Sequence, residues 1–208
     1  NPTEPTPTTT ISTTTTTTLP LPEQPMIPLS WEKDHSDRIY WSEWIYDSLK
    51  NEYLDRFDAA KDMERICHGY YSLSDRQKMN VWGEFWSAVT LYESSWNPRS
   101  QNVDVGMPLP KPLPTNPKPT PKQIADYDAA VLRAKNSWSI GLTQISVRDY
   151  QNKFGYKYDQ LLTPYRNLHL AFEIMAIQIR KTGLVILPNS SGDRYWAVIL
   201  DGNKYSKV

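Results

Sequence analysis

Cysteine is almost missing from this 208-residue chain: Cys67 stands alone, so no intrachain disulfide can form. A single thiol does not exclude export, because helical exported domains often manage without a bridge. Histidine is scarce as well. His35, His68 and His169 lie far apart and match no metal-ligand spacing, so neither a metal nor another cofactor is expected. An excess of either charge is missing too: 23 basic and 23 acidic residues give a net charge of zero. That excludes the basic surplus of a general nucleic-acid binder. No run of about 18 apolar residues occurs, so no transmembrane helix is expected.

Aromatic residues are abundant, with 8 Trp and 13 Tyr. Such rings fill cores and also form the stacking walls of sugar and base sites; core is the ordinary use for most of them. The length fits one domain with extras. Residues 1–28 are low in complexity, rich in Pro, with Thr13 to Thr18 unbroken. Thr and Pro favour extended backbone and bury little apolar area, so this stretch builds no core. The expected division is a Thr/Pro-rich tail over 1–30 and one folded domain over 31–208. No secretory signal is recognisable and the sequence starts at Asn1 rather than Met, so a processed or truncated product is expected. A spacer of this composition points to an exported protein, periplasmic or extracellular, tethered through the tail.

From Trp31 onward the pattern is helical. Ile39, Trp41, Trp44, Ile45, Leu49, Tyr53 and Leu54 follow a three-four spacing and predict a helix over 34–57. A second is expected over 58–70. Ser74 to Gln77 reads as a capping box opening a helix that runs through Trp82, Trp86 and Val89 to Glu93. Residues 101–121 carry seven prolines and must be loop. Thr120-Pro121 and Thr163-Pro164 each place a Thr cap before a Pro at the first helical position. They predict helices ending near Lys135 and at Gly183. Further helices are expected over 141–154 and 193–200. No strand ladder and no internal repeat is apparent, so the expectation is a mainly α, single helical domain.

Glu93 is the residue that stands out. Trp82, Trp86, Val89 and Glu93 are spaced four, three and four and share one helix face. The acid therefore continues an apolar stripe. Desolvation there raises a carboxyl pKa, as a general acid working near neutral pH requires. On helix geometry alone, a structural Glu that caps backbone or pairs with Arg is the more ordinary explanation.

Two downstream segments change that balance. Glu93-Ser94-x-Trp96-Asn97-Pro98, then Ser139-x-Gly141-Leu142-x-Gln144-Ile145, resemble the lysozyme-like superfamily of goose-type lysozymes and soluble lytic transglycosylases. Pro164-Tyr165-Arg166-Asn167-Leu168 resembles the opening of that family's core helix. The resemblance covers roughly 79–200. It implies a lysozyme-like helical fold and cleavage of the β-1,4 bond between N-acetylmuramic acid and N-acetylglucosamine in peptidoglycan, by a monomer. It implies Glu93 as catalytic acid, with Ser139, Gln144 and Trp96 contacting sugar. Gln144 has an equally good reading as a helix N-terminal residue solvating its own backbone. Gly141 suits a turn that needs a residue without Cβ.

The sequence departs from the family in three places. Thr143 stands where transglycosylases commonly carry Met. Tyr195-Trp196-Ala197-Val198 replaces their Tyr-Asn-x-Gly, leaving Tyr195 as the residue expected to hydrogen-bond Glu93. The Pro-rich 101–121 segment is longer than usual, fit either to wall the cleft or to be a tolerated surface insertion. A hydrolase needs a second carboxylate, and Asp104 is the expected one, with Asp126 and Asp128 expected to be solvated on a helix. A transglycosylase needs only the acid and yields an anhydro sugar. The sequence leans toward hydrolysis, with de-N-acetylated wall as a further substrate. The alternatives are a lytic transglycosylase and, in another class, an inactive glycan-binding protein of the same fold.

Overall fold

The computed structural model describes residues 26–33, 35–103, 106–188 and 195–200. The first 25 residues of the expected tail, Asp104, and 193–194 of the expected last helix lie outside them. Among the described residues the chain is mainly helical, as expected. The helices are α1 (Ile39–Ser48), α2 (Leu54–Asp58), α3 (Asp75–Ser94), α4 (Pro121–Lys135), α5 (Val147–Phe154), α6 (Tyr158–Leu161) and α7 (Pro164–Thr182).

The long first helix is interrupted. A π-helical segment, Leu49–Tyr53, joins α1 to α2. The helix expected over 58–70 is replaced by two short 3-10 turns, Met63–Arg65 and Tyr70–Ser72. Gly69, in the left-handed region at φ 78°, stands between them. The buried carboxylate of Asp62 accepts hydrogen bonds from the backbone N–H groups of Val185 and Ile186 at 2.9 and 2.8 Å. It thereby fixes the chain that leaves α7.

The predicted caps are present. Ser74 Oγ accepts from Gln77 N while the Gln77 side chain returns to Ser74 N, so α3 starts where the capping box places it. Thr120 and Gln123 repeat the device on α4. Gly183 ends α7 at φ 74°.

The expectation of no strands needs correction. Three two-residue strands, β1 (Gln101–Asn102), β2 (Ser139–Ile140) and β3 (Ile145–Ser146), form an antiparallel sheet in that order. The helix expected over 141–154 begins only at Val147. Residues 141–144 are instead the turn between β2 and β3. Strands this short leave too little alternation to show as a pattern. The last expected helix is a 3-10 turn, Ala197–Ile199.

The core is aromatic. Trp86 stacks on Phe172 of α7 (5.1 Å between centroids, 24°) and meets Trp196 edge-on at 5.4 Å. Phe57 of α2 lies 4.5 Å from Trp82. These contacts lock α2, α3, α7 and the C-terminal segment together, as buried rings of this size do most effectively. The packed chain also starts earlier than residue 31. Leu29 is 2 % exposed, and Ser30 binds Glu84 through both its N–H and its hydroxyl. Trp31 is fully buried, with its indole N–H on Ser42 Oγ at 2.8 Å.

Candidate active site

The apolar face of α3 carries Glu93 to the helix's last turn, where Ser95 (φ 52°) and Trp96 (φ 58°) turn the chain sharply away. The next segment is β1. In the antiparallel register, Asn102 pairs with Ser139 and Ser139 with Ser146. These three polar residues form one row, while the neighbouring row carries the fully buried Ile140 and Ile145. Alternation across a pleat explains this: one residue faces the core and the next faces out. The polar row faces a cleft of about 630 Å³. Tyr92 and Glu93 of α3, Gln144 of the turn, Asp149 of α5 and Tyr195 to Ala197 of the C-terminal segment complete its lining.

Asn167, fully buried on α7, holds the turn in place. Its Oδ1 accepts from Thr143 N and Thr143 Oγ1, both at 2.8 Å. Its Nδ2 donates to Ile140 O and Leu161 O, both at 3.0 Å. All four hydrogen-bonding positions of the amide are thus filled. Trp196 adds a bond from its indole N–H to Thr143 O at 2.8 Å. Gly141 sits at φ 79°, where an added Cβ would collide with Asn167 Nδ2 and come within 2.6 Å of Leu161 O. Gly141→Ala is expected to destabilise the fold by about 2 kcal/mol or more in urea titration, through left-handed strain and displacement of Asn167.

Glu93 is partly buried, and burial pushes its carboxyl from the ordinary 4.5 up to about 7. No hydrogen bond or ion pair to the Glu93 carboxyl is formed among the described residues, which separates it from a structural Glu paired with Arg. Asp149 is its opposite. Burial pulls its carboxyl upward, but hydrogen bonds from Arg148 and Ser146 outweigh that and hold it below the usual carboxylate value. The cleft thus contains two acids driven apart by their surroundings, the arrangement that lets one stay protonated while the other is ionised.

The remaining expected site residues divide. Ser139 lines the cleft. Gln144 lines it too, at φ 50°, while its side-chain N–H donates to Gly141 O at 2.9 Å. The side chain therefore both lines the cleft and solvates its own turn. Tyr195 lines the cleft, but its hydroxyl accepts from Ser146 N at 2.6 Å and donates to Gln144 O at 3.3 Å, rather than bonding Glu93. Burial raises its pKa well above 10, so it is neutral in the working range.

Trp96 is not among the cleft residues. Its indole N–H bonds Ser87 O at 2.8 Å, and the Arg38 guanidinium lies 5.5 Å from its ring. Asp104 lies outside the described residues. Asp126 pairs with Lys122 at 2.6 Å on the exposed face of α4. Of the Pro-rich segment, Asn102 lines the cleft, and Met107 is tied to Ser137 and Trp138 at 2.7 and 2.9 Å. Sequence reasoning passed over Asn102, Ser146 and Asp149. The cap pattern Ser146-x-x-Asp149 was the available signal for the last two.

No metal-binding group of three or more His, Cys, Asp or Glu side chains occurs among the described residues. No described helix is long and apolar enough to cross a membrane.

Comparison with known proteins accords with this geometry. The chain is similar to solved structures of Bd0314 DslA. The wild-type form 2 gives a TM-score of 0.62 at 23 % identity, covering 87 % of this chain and 91 % of that one. A glutamate-to-glutamine mutant of the same protein gives 0.63 at 23 % identity, with the same coverage. A second such mutant gives 0.63 at 22 %, covering 88 % and 93 %. Identity this low speaks for the fold, which is lysozyme-like. No curated protein matches. Residues 71–198, more than half of the chain, match the family described as the transglycosylase SLT domain. The chain belongs to the transglycosylase SLT-domain family, whose members act on peptidoglycan.

Proposed function

We propose that the chain is a glycosidase that cleaves the β-1,4 bond between N-acetylmuramic acid and N-acetylglucosamine, with Glu93 as general acid. The observation that carries this is a carboxyl with no hydrogen-bonded partner among the described residues, raised to about 7, in a cleft lined by polar side chains. Leaving-group protonation needs an acid still protonated near neutrality. A glycan-binding protein without activity has no use for such a group. Ser139 and Gln144 are the proposed sugar contacts, and Tyr195 holds Gln144 and the end of β3 through Gln144 O and Ser146 N.

Hydrolysis is the first reading, because a second carboxylate, Asp149, lines the cleft, and Asp104 follows β1 in sequence. Transglycosylation is the second reading, favoured by the family match. It needs only Glu93 and the substrate's own acetyl group. Mass spectrometry of muropeptides released in H₂¹⁸O separates them: reducing ends carrying ¹⁸O are expected, whereas anhydro ends alone would establish the second reading.

A de-N-acetylated wall belongs to the proposed substrate range, since acetyl assistance is impossible there and a water-activating carboxylate is then required. Equal turnover of acetylated and deacetylated sacculi would remove any preference. The proposed setting is outside the cytoplasm, as a monomer tethered by the Thr/Pro-rich tail.

The pH dependence follows from Glu93. Well above pH 7 its active, protonated form falls tenfold per pH unit. The rate on purified sacculi is therefore expected to drop about tenfold between pH 7.5 and 8.5. A rate flat to pH 9 would assign the proton transfer to another group.

A further inference from the structure

We propose that Asp149 is the second working carboxylate of the cleft, the base that deprotonates the water attacking the muramic anomeric carbon. This rests on the glycosidase reading above and names the group that reading leaves open.

The local fold brings Asp149 to the cleft. β3 ends at Ser146, whose hydroxyl caps α5 by accepting from Asp149 N at 3.4 Å. Asp149 therefore lies in the first helical turn, directly beyond the polar row of the sheet, and lines the same cleft as Glu93. Both acids act electrostatically on the Tyr195 hydroxyl, which lines the same cleft. Asp149 Oδ2 accepts from Ser146 Oγ at 2.8 Å and Oδ1 from Arg148 Nε at 3.0 Å. A carboxylate offers about four acceptor positions, so these two bonds orient the group and leave room for a water. The side chain is 51 % exposed, so water reaches it. Among the described residues, Arg148 and Tyr150 of α5, Tyr195 of the C-terminal segment and Glu93 of α3 are the titratable or charged groups around it. Both tyrosines are raised and neutral, so Arg148 supplies the neighbouring positive charge.

The step balances without another reactant. A water O–H breaks and its proton passes to Asp149. The water oxygen bonds to the muramic anomeric carbon from the face opposite the leaving group. The bond to the glucosamine oxygen breaks, and that oxygen takes the Glu93 proton. One water is consumed, and exchange with solvent returns both carboxyls to their starting states. The new reducing end has inverted configuration.

The simpler role for Asp149 is structural, as the partner of the Ser146 cap. Asp149→Asn keeps one acceptor, for Ser146, while removing the basicity together with the ion pair to Arg148. In the full chain, its formation of reducing ends is expected to fall about 100-fold or more, with an unchanged melting temperature. Sodium azide, which needs no deprotonation, is expected to restore cleavage and give a glycosyl azide of inverted configuration. A second variant reads the charge without touching the base: Arg148→Ala is expected to move the acidic limb of the pH profile upward, because Asp149 loses a neighbour that lowers its pKa.

Unchanged reducing-end formation in Asp149→Asn overturns the proposal. So does a loss that azide does not rescue, which would make Asp149 a structural cap. Azide rescue of Asp104→Asn in place of Asp149→Asn would move the role to Asp104 and also overturn it. If wild type releases only anhydro ends, the proposal falls while Glu93 remains the acid. Activity in Glu93→Gln would instead strike the glycosidase reading itself.

Discussion

Glu93→Gln is expected to melt higher than wild type at pH 8 while losing glycan cleavage by about 10²- to 10⁴-fold. Both effects come from one cause. Glu93 titrates at about 7 in the folded protein, against 4.5 ordinarily. Between those values the folded state binds more protons than the unfolded state, so stability falls as pH rises through 7. The shift corresponds to about 3 kcal/mol of stability present in acid and lost above neutrality. Glutamine carries no charge to desolvate. The melting-temperature gap between variant and wild type is therefore expected to widen from pH 5 to pH 8, by roughly 5 °C or more for a domain of this size. A stabilised but inactive variant marks a group kept for chemistry at a cost in stability. Parallel pH dependences for the two proteins would mean that Glu93 is solvated.

Asn167→Leu is expected to cost about 3 to 5 kcal/mol in urea titration, though leucine is similar in size and apolar. The substitution leaves Thr143 N, Thr143 Oγ1, Ile140 O and Leu161 O without the partner that joins them. Orphaned buried donors and acceptors carry the full desolvation penalty. Asn167→Asp does not rescue, because it keeps the two acceptor bonds, loses the two donor bonds and buries a charge. The effect is expected to localise: amide exchange of Thr143 should speed up well before that of Trp86 in the middle of α3. Uniform loss of protection would mean that Asn167 supports the whole core rather than this turn.

Much of the scaffold was legible because it is written locally. Ser74 with Gln77, Thr120 with Pro121, and Gly183 each fix a helix end through a bond within a few residues. The Trp82, Trp86, Val89, Glu93 stripe was legible for the same reason. What escaped depends on contacts distant in sequence. Gly141-Leu142-Thr143-Gln144 reads as the start of a helix, but Asn167 and Trp196 bind it into a turn from 24 and 53 residues away. The helix expected over 58–70 gave way to the buried Asp62, whose partners lie 123 and 124 residues on. Trp96 was expected to contact sugar through the resemblance, yet two consecutive left-handed residues swing it back onto Ser87 O. Asp149 was hidden because its place in the cleft depends on where α5 begins, six residues later than the pattern suggested.

The central claim is that Glu93 donates the proton that breaks the glycan chain. The direct measurement is mass spectrometry of soluble muropeptides released from purified sacculi by wild type and by Glu93→Gln, at pH 6 and equal protein concentration. New glycan ends, reducing or anhydro, are expected from the wild type and at least about 100-fold fewer from the variant. Equal release by the two proteins would contradict the account.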